Sequence, residues 1–293
     1  MTFLTAATRY LNLTLEGGEK IFYREAGSTE SPTVLLLHGF PTSSHQFRDL
    51  IPRLAPKYRV IAPDFPGYGF TEVPSGYSYT FDNLANTIDE FLEKIPQPPQ
   101  KYSIYIFDYG APVGLRLALK HPDRIQAILS QNGNAYDEGL GAFWDPIRAV
   151  WENKNDETLA GISYLVEYNA TKWQYENGTS DLSTVGPEFY TLDQTHMDRP
   201  GNKDIQVALL YDYRNNLPLY PKFQEYFRKS QVPLLAAWGK NDAIFVPPGA
   251  EAFKRDLPNA KVELLDGGHF VSVTHTAQLA KLILDFLKDN NIS

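Results

Sequence analysis

Six short apolar runs, separated by segments of helical spacing, set the architecture of this chain. They are Thr33–Leu37, Arg59–Ala62, Ser103–Phe107, Ala127–Ser130, Pro233–Ala237 and Val262–Leu265. A strand with one wet face alternates apolar and polar residues, whereas an unbroken apolar run suits a strand covered on both faces by helices. The intervening segments His45–Leu54, Phe81–Ile95, Pro112–Lys120, Pro248–Leu257 and Thr276–Leu287 carry the spacing such helices need. Strands alternating with helices imply parallel crossovers. Ahead of them, Tyr10–Thr14 and Lys20–Arg24 alternate around Gly17-Gly18 and read as an antiparallel hairpin.

The alternation stops between Tyr136 and Ser230, where aromatic, helix-like stretches lack any comparable apolar strand. This predicts an inserted lid and a division into a first core part (1–135), a helical cap (136–230) and a second core part (231–293). The insert holds three of the four tryptophans, Trp144, Trp151 and Trp173. Such an aromatic surface either faces something apolar or forms the insert's own core; for most of the rings we adopt the second reading.

Composition removes several function classes. Apolar residues make up 43% and charged residues 21%, as in an ordinary globular protein. The net charge of −8 is scattered, and no Lys/Arg stripe could neutralise phosphates, so neither nucleic acid nor an anionic membrane is an expected partner. Cysteine is absent, which excludes disulfides and thiolate nucleophiles. The opening residues lack the basic-then-apolar run of a secretory signal, and no apolar segment is long enough to span a bilayer. A cytoplasmic location is therefore expected. No metal-ligand cluster or phosphate-cradling glycine loop is visible, so no cofactor is expected, and the oligomeric state stays open.

Chemistry concentrates where the runs end. Ser103–Phe107 leads into Asp108-Tyr109-Gly110-Ala111-Pro112 and then a helical pattern, the strand–turn–helix setting of a nucleophile elbow. Asp108 then lies near the positive end of the following helix, which favours its ionised form. Alone, such an aspartate reads more naturally as a helix cap. Two further features reverse this: Asp242 follows Pro233–Ala237, and His269 follows Val262–Leu265. Nucleophile, acid and histidine thus occur in the chain order Asp108, Asp242, His269, each just after a separate strand.

With these motifs the sequence resembles the α/β-hydrolase superfamily, and within it the branch of epoxide hydrolases and haloalkane dehalogenases. The resemblance covers nearly the whole chain and is strongest at His38-Gly39-Phe40-Pro41, Asp64–Gly69, Asp108–Pro112, Asp242 and His269. It implies an α/β-hydrolase fold, a mostly parallel eight-stranded sheet flanked by helices, with a helical cap inserted after strand 6. It also implies an oxyanion hole made by the backbone N–H groups of Phe40 and Tyr109. His38 itself reads as a packed histidine bracing its loop. One departure is Ile106, two residues before the nucleophile, where the family usually has a small residue.

A carboxylate at the elbow suits displacement at saturated carbon, with an ester forming on Asp108. His269, oriented by Asp242, would then activate the water that hydrolyses the ester. Tyr211-Asp212-Tyr213-Arg214-Asn215 resembles the lid motif of epoxide hydrolases, which implies that Tyr213 donates to an epoxide oxygen. For a second donor Tyr175 is the candidate, with Tyr164, Tyr168 and His196 as competitors. Haloalkane dehalogenases usually carry Asn and Trp where this chain has Phe40 and Tyr109, although Trp144, Trp151 or Trp173 could supply an indole. Fluoroacetate dehalogenases place Arg soon after the nucleophile to clamp a carboxylate, where this chain has Tyr109, Ala111 and Pro112, which implies a substrate that is small, neutral and largely apolar. The leading expectation is an epoxide hydrolase forming a vicinal diol; the alternatives are a dehalogenase and, least of all, a non-catalytic ligand-binding protein.

Overall fold

A computed structural model describes residues 7–293. Residues 1–6, which open the segment read for a secretory signal, lie outside the described residues. The eight strands are β1 (Arg9–Thr14), β2 (Lys20–Ala26), β3 (Thr33–Leu37), β4 (Arg59–Pro63), β5 (Tyr102–Phe107), β6 (Ile125–Gln131), β7 (Leu234–Gly239) and β8 (Lys261–Leu265). They form one sheet in the order β1-β2-β4-β3-β5-β6-β7-β8. β1 and β2 run antiparallel, as do β2 and β4; every other neighbouring pair is parallel. This is the α/β-hydrolase sheet that the sequence implied.

Two apolar layers explain the unbroken runs. In β3, Leu35 and Leu37 enter one layer while Val34 and Leu36 enter the other; in β5, Ile104 and Ile106 face opposite to Tyr105 and Phe107. The helix Phe81–Lys94 covers the first face with Leu84, Ile88 and Phe91, its start capped by Thr80, which accepts the Asn83 N–H at 3.2 Å. The helix Thr276–Asp289 covers the second with Leu279, Ile283 and Leu287. Each such fully buried side chain contributes about 1.5–3 kcal/mol. β8 departs from expectation: it is the sheet edge, with Leu264 45% exposed, so its apolar run is only half covered.

Between β6 and β7 lie six α-helices and no strand: Asp145–Glu152, Asp156–Ile162, Tyr168–Glu176, Pro187–Met197, Asn202–Asp212 and Tyr220–Ser230. They rest on loops that follow the strands, through Asp212 on the Phe81 N–H (2.8 Å), Gln206 on the Gly67 carbonyl (3.0 Å) and Gln224 on the Ala135 carbonyl (3.1 Å). Trp144 and Trp151 pack around Tyr213 at ring separations of 4.4 and 6.1 Å, and Trp144 also packs on Phe245 at 5.3 Å, so it joins the insert to residues that follow β7. Among the described residues no helix is long and apolar enough to cross a membrane.

Candidate active site

β5 ends at Phe107, and the helix Gly110–Lys120 begins three residues later. The reversal places Asp108 in the left-handed region (φ 49°), a conformation that costs most side chains about 1–2 kcal/mol and that aspartate tolerates well. Ile106 fits because Gly114 faces it: a Cβ on Gly114 would lie 2.6 Å from the Ile106 methyl. Gly39 gives Asp108 the same licence from the other side, where a Cβ would meet the carboxylate at 2.2 Å. The departure at position 106 is thus compensated across the strand–helix contact.

Asp108 Oδ1 accepts the backbone N–H groups of Phe40 and Tyr109, both at 2.6 Å. Asp108 Oδ2 lies 3.9 Å from His269 Nε2, within electrostatic reach and too far for a direct hydrogen bond. His269 Nδ1 meets Asp242 Oδ2 at 2.7 Å, which fixes the Nδ1–H tautomer and leaves Nε2 without a protein partner. Asp108, Asp242 and His269 are all under 5% exposed. Burial pushes the Asp108 carboxyl up to about 6, against the pull of His269 and of the Phe40 and Tyr109 N–H groups. The helix end favours the ionised form, as the sequence reading had it, and desolvation of the buried carboxyl acts in the opposite direction. Burial also works to lower His269, but Asp242 and then Asp108 more than reverse this and hold it above its ordinary value.

The residues that fix Asp242 carry no motif. Asn132, itself at φ 51° just after β6, donates to Asp242 Oδ2 at 2.7 Å and accepts the Gly239 N–H at 3.0 Å. Gln131 donates to the His269 carbonyl at 2.8 Å. The Ile244 N–H holds the other Asp242 oxygen at 2.7 Å. His38 braces its loop, accepting the Phe65 N–H at 2.9 Å, and burial lowers it to about 3.

Tyr213 is fully buried, its ring 5.8 Å from that of Tyr109 and its hydroxyl 3.1 Å from that of Tyr220. Tyr175 stacks on Phe270 at 3.8 Å and donates to Asp193 at 2.5 Å. Of its competitors, Tyr164 and Tyr168 are exposed at the surface and His196 packs edge-on to Phe70. Thus Asp108, His269, Asp242, Phe40 and Tyr109 converge, Tyr213 borders them, and the Tyr175 hydroxyl is engaged by Asp193. Tyr68, within the Asp64–Gly69 stretch, presents a buried hydroxyl without a partner.

Residues 32–276 match the family described as the alpha/beta hydrolase fold. The chain belongs to the α/β-hydrolase family. This α/β-hydrolase is 46% identical to an uncharacterized hydrolase of Saccharomyces cerevisiae over 286 residues, covering 96% of this chain and 98% of the relative. It is 26% identical to a haloalkane dehalogenase of Psychrobacter cryohalolentis, covering 92% and 88% of the two chains. Among solved structures it superposes on epoxide hydrolase CorEH with a TM-score of 0.78 at 20% identity, covering 97% and 99%. The α/β-hydrolase is therefore a hydrolytic enzyme whose elbow carries an aspartate.

Proposed function

We propose that this α/β-hydrolase opens a small, neutral, largely apolar epoxide to a vicinal diol through an ester on Asp108. The observation that carries the reading is the division of labour within one carboxylate. Oδ1 already sits in the two-amide cradle, which leaves Oδ2 as the attacking atom. Oδ2 bonds to the epoxide carbon, the carbon–oxygen bond breaks, and the departing oxygen takes the Tyr213 proton. His269 then removes a proton from water, hydroxide adds to the Asp108 carbonyl carbon, and the charge develops on Oδ1 where the two N–H groups wait. Each such donor is worth about 10²–10³ in rate. The tetrahedral centre collapses, the bond from the Asp108 carbonyl carbon to the ester oxygen breaks, that oxygen takes the proton left on the added hydroxyl to give the diol and an ionised Asp108, and the proton on His269 returns to the Tyr213 phenolate. The helical insert acts as the cap that keeps bulk water out.

A single turnover in ¹⁸O-water tests the covalent route. The label is expected in Asp108, read by mass spectrometry of its peptide, with unlabelled diol; labelled diol and unlabelled Asp108 would exclude it.

Ester formation requires ionised Asp108. Its carboxyl is raised to about 6, so the anion is present above that value and is lost as pH falls through it. The value of kcat/KM is expected to fall about tenfold per pH unit below about 6. An acid limb near the ordinary aspartate value of 3.8 would contradict this.

Dehalogenation is the second reading, favoured by the name of the Psychrobacter relative. Against it, the Trp144 and Trp151 indole N–H groups are taken by the carbonyls of Ile244 and Leu210, both at 2.9 Å, and Trp173 is 37% exposed. Halide release from chloro- and bromoalkanes, without diol formation from epoxides, would establish it instead.

A further inference from the structure

Resting on the reading of Tyr213 as the epoxide donor, we propose that Asn134 and Tyr220 form a hydrogen-bond relay that points the Tyr213 hydroxyl proton at the substrate. Tyr220 is then a positioning residue for ring opening.

The orientation of the first donor in the relay is set at its far end. Asn134 Oδ1 accepts the Tyr136 N–H at 3.3 Å, and Asn134 Nδ2 donates to the Tyr136 carbonyl at 2.7 Å. Rotating the amide would set donor against donor and acceptor against acceptor, so the backbone of one residue fixes its orientation. The second Nδ2 hydrogen points to the Tyr220 hydroxyl oxygen at 3.3 Å, which therefore accepts. Tyr220 has one proton left to donate, and the polar atom that meets it is the Tyr213 hydroxyl oxygen at 3.1 Å. Tyr213 has no other hydrogen-bond partner, because Phe81, Tyr109, Trp144, Trp151 and Phe245 surround its ring.

In the free site either direction of the Tyr220–Tyr213 bond leaves one hydroxyl proton without an acceptor. An epoxide oxygen at Tyr213 removes the tie. Only the order Asn134 to Tyr220 to Tyr213 to substrate then satisfies every donor, and an unsatisfied buried donor is costly. The same order acts in the chemical step. When the ring carbon–oxygen bond breaks and Tyr213 gives up its proton, its oxygen becomes a phenolate held by the Tyr220 O–H. Hydrogen bonds to a charged acceptor are about twice as strong as neutral ones, so Tyr220 contributes most once charge has appeared. Burial raises both hydroxyls above the ordinary tyrosine value, which makes an internal donor to the Tyr213 phenolate more important than it would be in water.

The test is a double-mutant cycle on the full chain with styrene oxide, following ester formation and ester hydrolysis separately by rapid quench and intact mass. Tyr220→Phe keeps the ring and removes only the hydroxyl. It is expected to slow ester formation about 10- to 100-fold and to leave ester hydrolysis within about twofold, which also reports an intact site. Tyr213→Phe is expected to lose about 10²–10⁴-fold in the same step, and adding Tyr220→Phe to it should cost nothing further. Should Tyr220→Phe not fold, 3-fluorotyrosine in place of Tyr220 serves: it keeps the ring and the hydroxyl, makes the O–H a stronger donor to the Tyr213 phenolate and is expected to speed ester formation, and an unchanged rate would overturn the relay. Ester formation unchanged in Tyr220→Phe, or losses that multiply in the double variant, would overturn the relay. A wild-type enzyme that opens no epoxide would instead overturn the reading of function on which it rests.

Discussion

Asp108→Asn is expected to abolish turnover while leaving the protein folded. Asparagine matches the carboxylate in shape, tolerates the left-handed φ of 49° and offers an amide oxygen to the Phe40 and Tyr109 N–H groups. It cannot form the ester. Loss of the attacking group from a triad costs about 10⁴–10⁶ in kcat. Because the buried carboxyl of the wild type pays a desolvation penalty that a neutral amide escapes, the thermal midpoint of the variant should equal or exceed that of the wild type. Steady-state kinetics and a melting curve measure both. Residual activity within tenfold of wild type would mean that another group attacks the substrate.

His269→Gln should separate the two halves of the reaction. In the proposed mechanism the histidine acts on water and not on the substrate, so the first half is expected to proceed and the second to stall. Incubation with an epoxide should increase the protein's mass by that of one substrate molecule, located on Asp108, while multiple turnover falls about 10²–10⁴-fold. A variant that accumulates no adduct and makes no diol would show that His269 is needed for ring opening. The wild type has a further property of the same origin. In the proposed cycle esterification removes the Asp108 charge, one of the influences that raise His269. The imidazole therefore becomes less basic in the intermediate and is neutral over more of the pH range when it must accept a proton.

Much of this was legible before any coordinates, and the reasons differ from element to element. Val34 and Leu35 face opposite layers, and double coverage makes β3 read as an unbroken apolar run. The same logic misled at β8, where Val262–Leu265 lies at the sheet edge and Glu263 interrupts the apolar residues. Asp108, Asp242 and His269 were legible because the fold places each just after a strand. Asn132 and Gln131 were not, because Gln131 ends β6 and Asn132 follows it, and their value lies in reaching His269 and Asp242 after the next two strands, which no local pattern marks. Tyr220 was hidden for another reason: it meets Asn134, 86 residues away, through the packing of the insert on the core. The raised Asp108 carboxyl was missed because local sequence shows the helix end and not how deeply the carboxyl is buried.

The two-amide cradle on Asp108 Oδ1 also gives the enzyme an isotopic memory. If one oxygen stays pinned through every cycle, only the other leaves with product and is replaced from water. Prolonged turnover in ¹⁸O-water should then exchange one atom of the pair and stop, a gain of about 2 Da in the Asp108 peptide, whereas a carboxylate free to rotate would drift to about twice that gain.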